Sequence, residues 1–267
     1  MKSDVWTVPL RTGIRLTCFM QGTGGSIPLL LLHAWGESWR SFERLIPSLP
    51  TFNILAPDFR GHGLADKPAS GYSLKDMAKD VAALLDALGV ESAHVLGSSS
   101  GGYVAQQLAV DYPQQVVSLI LVGAPLSLNG KPPFAEEVDL LRDPVSEDWV
   151  RESLSWYRLL HSVPASYIED RVQDGLAMPA AIWKAALRGF YEAVPPTESG
   201  SISVPTLILW GAHDHLVPRL HQETLAERIS GSRFKVYEDT GHLVLWEWPE
   251  RVAEDVESFL ARLPKPD

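Results

Sequence analysis

The sequence predicts an α/β protein whose mostly parallel, doubly wound sheet is covered by helices on both faces, and three observations carry that expectation. Apolar runs recur along the chain, among them Leu29-Leu30-Leu31-Leu32 and Val116 to Val122. Such runs suit strands buried on both faces of a parallel sheet. Between the runs lie helical segments: Leu74 to Leu88 places Leu74, Met77, Ala78, Val81, Leu84, Leu85 and Leu88 at amphipathic spacing, and Gly89 stops it. Strand and helix alternate up to Gly123-Ala124-Pro125, and the alternation resumes near residue 201.

In chain order, Val5 to Val8 and Ile14 to Met20 read as a hairpin around Arg11-Thr12-Gly13. After Leu29–Leu32, a helix is expected over Trp39 to Leu49 and a strand over Phe52 to Ala56. Ala93 to Leu96 is a strand that enters Gly97-Ser98-Ser99-Ser100-Gly101 and then a helix to about Val110. From Leu126 to Gly200 no strand-like run appears. Three helical candidates fill this stretch, Ser146 to Leu160, Ala165 to Leu176 and Pro179 to Ala193, which makes 126–200 an inserted helical subdomain between core segments 1–125 and 201–267. The core then closes with a strand at Thr206 to Trp210, a helix at Leu220 to Ile229, a strand at Phe234 to Tyr237 and a helix at Pro249 to Leu263.

Composition narrows the function. At 267 residues, 45% hydrophobic and 21% charged, the chain has the make-up of a globular protein with room for one large domain and an insertion. A net charge of -10 offers no basic stripe, so neither nucleic acid nor an anionic membrane is an expected partner. A lone Cys18 cannot form an internal disulfide. Together with the absence of a signal-type or membrane-spanning apolar segment, it points to the cytoplasm. Monomer and homodimer both stay open.

The stretch that carries chemistry is Gly97-x-Ser99-x-Gly101 between a strand and a helix, the layout of a nucleophile elbow. A serine at such a turn has strained backbone angles, and flanking glycines let the chain fold tightly around it. The simpler reading is a serine-rich helix cap. Ser99 needs a base, because a hydroxyl is a weak nucleophile at neutral pH. Of eight histidines, His242 stands in a Gly241-His242 loop after the last strand. His33, His62 and His94 flank turns, His161 falls in the insertion, and His213, His215 and His221 surround Asp214. Asp214 follows the Thr206 to Trp210 strand and fits the orienting acid, giving the order Ser, Asp, His. Asp58 and Asp239 are rivals with better structural explanations as turn residues. Two backbone N–H groups are needed for the oxyanion, and position assigns them to Ser100 and Trp35.

These motifs resemble the α/β-hydrolase family, in its branch of serine esterases, lactonases and C–C hydrolases. The resemblance covers 1–125 and 201–267. It rests on His33-Ala34-Trp35-Gly36-Glu37-Ser38-Trp39, Asp58-Phe59-Arg60-Gly61-His62-Gly63, the Ser99 motif, Gly211-Ala212-His213-Asp214 and Gly241-His242. It implies an eight-stranded, mostly parallel sheet with a helical cap inserted after the sixth strand, a Ser99-Asp214-His242 triad, and no cofactor or metal. Ala34 stands where such proteins usually carry glycine, and Ser98 and Ser100 replace the bulkier residues common beside the nucleophile. Serine at 99, where some relatives have aspartate, disfavours dehalogenation and epoxide opening.

Phe134, Trp149, Trp156, Tyr157, Tyr167, Trp183, Phe190 and Tyr191 concentrate aromatics in the insertion, and most of them are expected to pack it onto the core. Ala34, Ser98, Trp156, Trp183, Tyr191, Leu216 and Leu243 are the residues expected to line the substrate pocket. The expected substrate is a medium-sized, largely apolar ester or lactone. Arg142, Arg151, Arg158, Arg171 and Arg188 offer an anchor for a substrate carboxylate, although solvated helix faces explain them more simply. The alternative activity is C–C bond hydrolysis of ring-fission products with the same triad. A ligand receptor without turnover is the third reading.

Overall fold

The computed structural model describes residues 3–22 and 24–264. The hairpin is β1 (Ser3–Pro9) and β2 (Arg15–Gln21), followed by β3 (Leu29–Leu32) and β4 (Ile54–Pro57). Between β3 and β4 the expected helix is absent. Two short 3-10 turns, Trp39–Phe42 and Ile46–Ser48, take its place. Pro47 supplies the reason: it has no N–H to bond the carbonyl of Glu43, so an α-helical ladder cannot run through it. Helix α1 (Leu74–Ala87) begins at a capping box in which Ser73 and Asp76 exchange side-chain and backbone hydrogen bonds. Then come β5 (Ala93–Ser98), α2 (Ser100–Asp111) and β6 (Val116–Val122).

After β6 only helices occur until the next strand: α3 (Ala135–Leu140), α4 (Glu147–Ser155), α5 (Ala165–Leu176), α6 (Ala180–Tyr191) and α7 (Pro196–Ser199). The short helices α3 and α7 escaped the sequence reading. The helix expected to run to Leu160 ends at Ser155, because the backbone N–H groups of Leu160 and His161 are drawn to the Glu247 carboxylate at 3.2 and 2.9 Å. The chain closes with β7 (Thr206–Gly211), α8 (Arg219–Arg228), β8 (Arg233–Tyr237), α9 (Val244–Glu247) and α10 (Pro249–Leu260).

The eight strands form one sheet in the order β1-β2-β4-β3-β5-β6-β7-β8, antiparallel only where β2 meets β1 and β4. Strand alternation explains the apolar runs. Leu30, Leu32, Val95, Leu119, Leu121 and Ile208 join the core on one face, whereas Leu29, Leu31, Leu96, Ile120, Val122, Leu207 and Leu209 join the core on the other. Strand order reverses at β3, which has β4 on one side and β5 on the other. At such a switch point the loops leaving neighbouring strands diverge and open a crevice. Here the loops are those after β3 and β5, brought together by the pairing of Leu32 with Gly97.

Candidate active site

Ser99 lies between β5 and α2 with φ 50° and ψ -123°, and among the described residues no other non-glycine has positive φ. The glycines around it are required by close backbone approach. A Cβ at Gly101 would lie 2.2 Å from the carbonyl oxygen of Leu32, and one at Gly97 would lie 2.5 Å from Gly102 Cα. Strain at Ser99 is thus imposed by the neighbouring main chain, and it holds the hydroxyl above the sheet edge.

The loops after β7 and β8 bring two side chains to that hydroxyl. His242 Nε2 is 2.9 Å from Ser99 Oγ, and His242 Nδ1 is 2.7 Å from Asp214 Oδ2. The other Asp214 oxygen accepts the backbone N–H groups of Leu216 and Val217 at 2.8 and 2.9 Å. Three donors therefore converge on a buried carboxylate and fix its plane. They leave His242 Nδ1 protonated and Nε2 free to accept the Ser99 proton. Tyr157, from the segment after α4, stacks on the His242 ring with centroids 5.6 Å apart.

The loop after β3 is held as tightly. Phe59 donates its backbone N–H to His33 Nε2 at 3.0 Å, so the His33 proton sits on Nδ1 and is donated to the Ala34 carbonyl at 2.7 Å. Burial drives the His33 pKa well below its ordinary value, and the nearby His62 adds to the effect. Asp58, pushed up to about 6 by burial, accepts the backbone N–H groups of Trp39 and Leu64. Farther along the loop, Ser38 donates to Asp174 at 2.8 Å, and Asp174 in turn pairs with the buried Arg171 of α5. Core and insertion thus clamp this loop from two sides. Its Trp35 N–H, expected to face an oxyanion, donates to Ser100 Oγ at 2.8 Å.

Above Ser99 and His242 is a cavity of about 610 Å³. Trp35, Pro125, Leu128, Phe134, Trp156, Tyr157, Leu187, Phe190, Tyr191, Leu216 and Val217 supply most of its wall, with Glu137 and His215 as side chains of another character. Of the residues expected there, Ala34, Trp156, Tyr191 and Leu216 line it; Ser98, Trp183 and Leu243 do not. Ser98 is still part of β5, beside Val122, below the turn that lifts Ser99. Leu243 turns down into the core shared with Val244 and Trp246. Trp183 sits one layer behind the wall, edge-on to Trp35 and Trp149 with centroids 4.7 and 5.1 Å away, and its ring fills the space where a Gly36 Cβ would go. Missed by the sequence reading were the wall residues of 125–137, where Pro125, Pro132 and Pro133 break any periodicity. None of the arginines considered as carboxylate anchors lines the cavity, and among the described residues no His, Cys, Asp and Glu cluster is suited to a metal ion.

A doubly wound sheet with a serine elbow at its crevice and a histidine and an aspartate on following strand loops defines the class of α/β hydrolases. The chain belongs to the α/β hydrolase fold family, whose sequence model matches residues 27–249. It is 28% identical to a 2-hydroxymuconate semialdehyde hydrolase of Pseudomonas sp. (strain CF600), over 94% of this chain and 92% of that one. It is 27% identical to Lipase 3 of Moraxella sp. (strain TA144), over 99% of this chain and 87% of the lipase. Among solved structures, an esterase from Rhodococcus sp. ECU1013 superposes with a TM-score of 0.85 at 25% identity, covering 97% of this chain and 99% of the esterase. Among the described residues, no helix is long and apolar enough to cross a membrane.

Proposed function

We propose that this protein is a serine hydrolase that cleaves uncharged, largely apolar esters or lactones of medium size through an acyl-enzyme on Ser99. The observation that carries this reading is the hydrogen-bonded chain from Asp214 through His242 to Ser99, ending at the floor of an apolar cavity. Ser99 Oγ attacks the carbonyl carbon while His242 Nε2 takes its proton. Asp214 holds the imidazole and stabilises the charged ring. His242 then returns the proton to the leaving oxygen, and a water activated by the same nitrogen releases the acid. The Ser100 backbone N–H at the start of α2 faces the developing oxyanion, where the helix dipole adds to its effect. In this reading, segment 126–200 is a cap that supplies the substrate-facing wall.

Similarity to a 2-hydroxymuconate semialdehyde hydrolase favours, as a second reading, C–C cleavage with the same three residues. The cavity speaks against it. A ring-fission acid carries a carboxylate, yet among the described residues no arginine or lysine lines this wall, and Glu137 would repel an anion. The test is a panel of neutral and anionic esters of matched size, run with Ser99→Ala and a fluorophosphonate probe. Neutral esters are expected to be preferred, and Ser99→Ala to lower kcat at least about 10⁴-fold and abolish labelling. Preference for the anionic esters would overturn the substrate class; activity or labelling that survives in Ser99→Ala would overturn the mechanism.

A further inference from the structure

Ser100 is the first residue of α2; it lines the cavity while remaining only 7% exposed. Its backbone N–H has a role in the mechanism above, but its hydroxyl has none yet. That hydroxyl accepts the Trp35 N–H at 2.8 Å, so the donor that position assigned to the oxyanion reaches the Ser100 side chain instead. A hydroxyl has two lone pairs and one proton. Trp35 uses a lone pair, and among the described residues the proton meets no acceptor. Ser99 and Ser100 are adjacent in the chain and line the same cavity, so a substrate carbonyl attacked by Ser99 enters the space that Ser100 also borders.

We propose that Ser100 is a catalytic residue through its side chain as well as its backbone. The Trp35 N–H polarises Ser100 Oγ, and Ser100 Oγ–H donates to the substrate carbonyl oxygen as negative charge grows on it. The proton stays on Oγ throughout, so no covalent step is added. A chain of two hydrogen bonds strengthens as its terminal acceptor gains charge. The contact is therefore worth more in the transition state than in the bound substrate, and it acts on kcat more than on KM. The arrangement depends on the Ser100 hydroxyl, because an aliphatic side chain at this position could neither accept from Trp35 nor donate to the carbonyl.

This inference rests on Ser99 being the nucleophile, and the experiment separates the two. Ser100→Ala keeps both backbone N–H groups and removes only the hydroxyl. With a p-nitrophenyl ester, kcat is expected to fall at least about tenfold at little-changed KM. The affinity for an aryl trifluoromethyl ketone, which forms a tetrahedral oxyanion on Ser99, is expected to fall by a similar factor. A kcat that is unchanged or raised would overturn the proposal, because it would mean that the hydroxyl merely occupies a hole better left to the Trp35 N–H. A fall in kcat without loss of ketone affinity would overturn it as well. If Ser100→Ala does not fold, the ketone adduct of the wild-type protein decides crystallographically: Ser100 Oγ within hydrogen-bond distance of the adduct oxygen supports the relay, and Oγ rotated away from it refutes it. Ser99→Ala in the same assays tells the two failures apart. Activity surviving there removes the nucleophile, whereas an inactive Ser99→Ala beside a fully active Ser100→Ala removes only the relay.

Discussion

The sheet core and the helical insertion hold their cavity residues by different means. In the core, Ser99, Asp214 and His242 stand on loops leaving β5, β7 and β8. Main-chain contacts fix those loops: a strained turn at Ser99, two backbone donors on Asp214, and bonds from Ala212 N to Tyr237 O and from His213 N to Thr240 O, each 2.9 Å. In the insertion, position comes from rings leaning on rings. Phe134 tilts against Trp35 and Trp156 with centroids 6.1 and 4.9 Å apart, and Trp149 stands edge-on to Trp156 and Trp183. Ring contacts tolerate exchange of side chains better than a backbone turn tolerates displacement. On the proposed reading, core substitutions should therefore abolish chemistry without moving the wall, and wall substitutions should re-select the substrate without touching the chemistry.

The largest effect expected from breaking the core side is that of Asp214→Asn. An asparagine can still accept from Leu216 and Val217, so the loop should keep its shape. Its amide would face His242 Nδ1, however, and favour the tautomer that cannot take the Ser99 proton. A loss in kcat of about 10⁴-fold is expected, with KM within a small factor of wild type. Steady-state kinetics on one neutral ester, beside a thermal melt to confirm folding, checks it. A loss below about tenfold would mean that the strand-end geometry does not carry the rate.

Next in size is a pH effect in the core alone. His62 is buried beside His33, and desolvation lowers its pKa to about 4. The unfolded chain holds that proton up to about pH 6.5, so between these values it binds more protons than the folded chain. Stability due to neutral His62 is accordingly complete above about pH 6.5 and is lost as pH falls toward 4, by about 3 kcal/mol. His62→Gln removes this dependence. Asp58 and His33 titrate in both proteins, and their contributions largely cancel in the comparison. Denaturant midpoints at about pH 7 and pH 4 should show the wild type losing that much more than the variant; parallel losses would refute it.

What the sequence disclosed follows the same division. Gly97 and Gly101 mark Ser99 because only a residue without Cβ passes the carbonyl of Leu32 and the backbone of Gly102. Asp214 and His242 follow from the rule that parallel strands present their outgoing loops at one edge. The wall obeys no such local rule. Trp183 looked like Trp156 along the chain, and only packing places one behind the other. The helix ending at Ser155 was misjudged because Glu247, far away in sequence, captures the backbone of Leu160 and His161. Nor could periodicity reveal that the Trp35 N–H is directed at Ser100 Oγ, a contact across 65 residues.

The smallest effect expected is the one that tests the insertion. Phe134 stands between Trp35 and Trp156 on the cavity wall, and Phe134→Ala would remove a ring from that wall and enlarge the cavity. A short acyl group would lose apolar contact, whereas a longer one would extend into the freed volume. The ratio of kcat/KM for octanoate to that for acetate p-nitrophenyl esters is expected to rise about tenfold, roughly the discrimination that a small change in an apolar pocket provides. Labelling of Ser99 by a small fluorophosphonate should stay within about twofold of wild type, because the hydrogen bonds that hold the loop after β3 come from His33, Asp58 and Asp174, and Phe134 adds only a ring contact to Trp35. If labelling fell in step with ester turnover, the wall would be supporting the catalytic loop as well as the substrate. The separation of rate in the core from selectivity in the insertion would then fail at the Trp35–Phe134 contact, one of several places where the two regions touch.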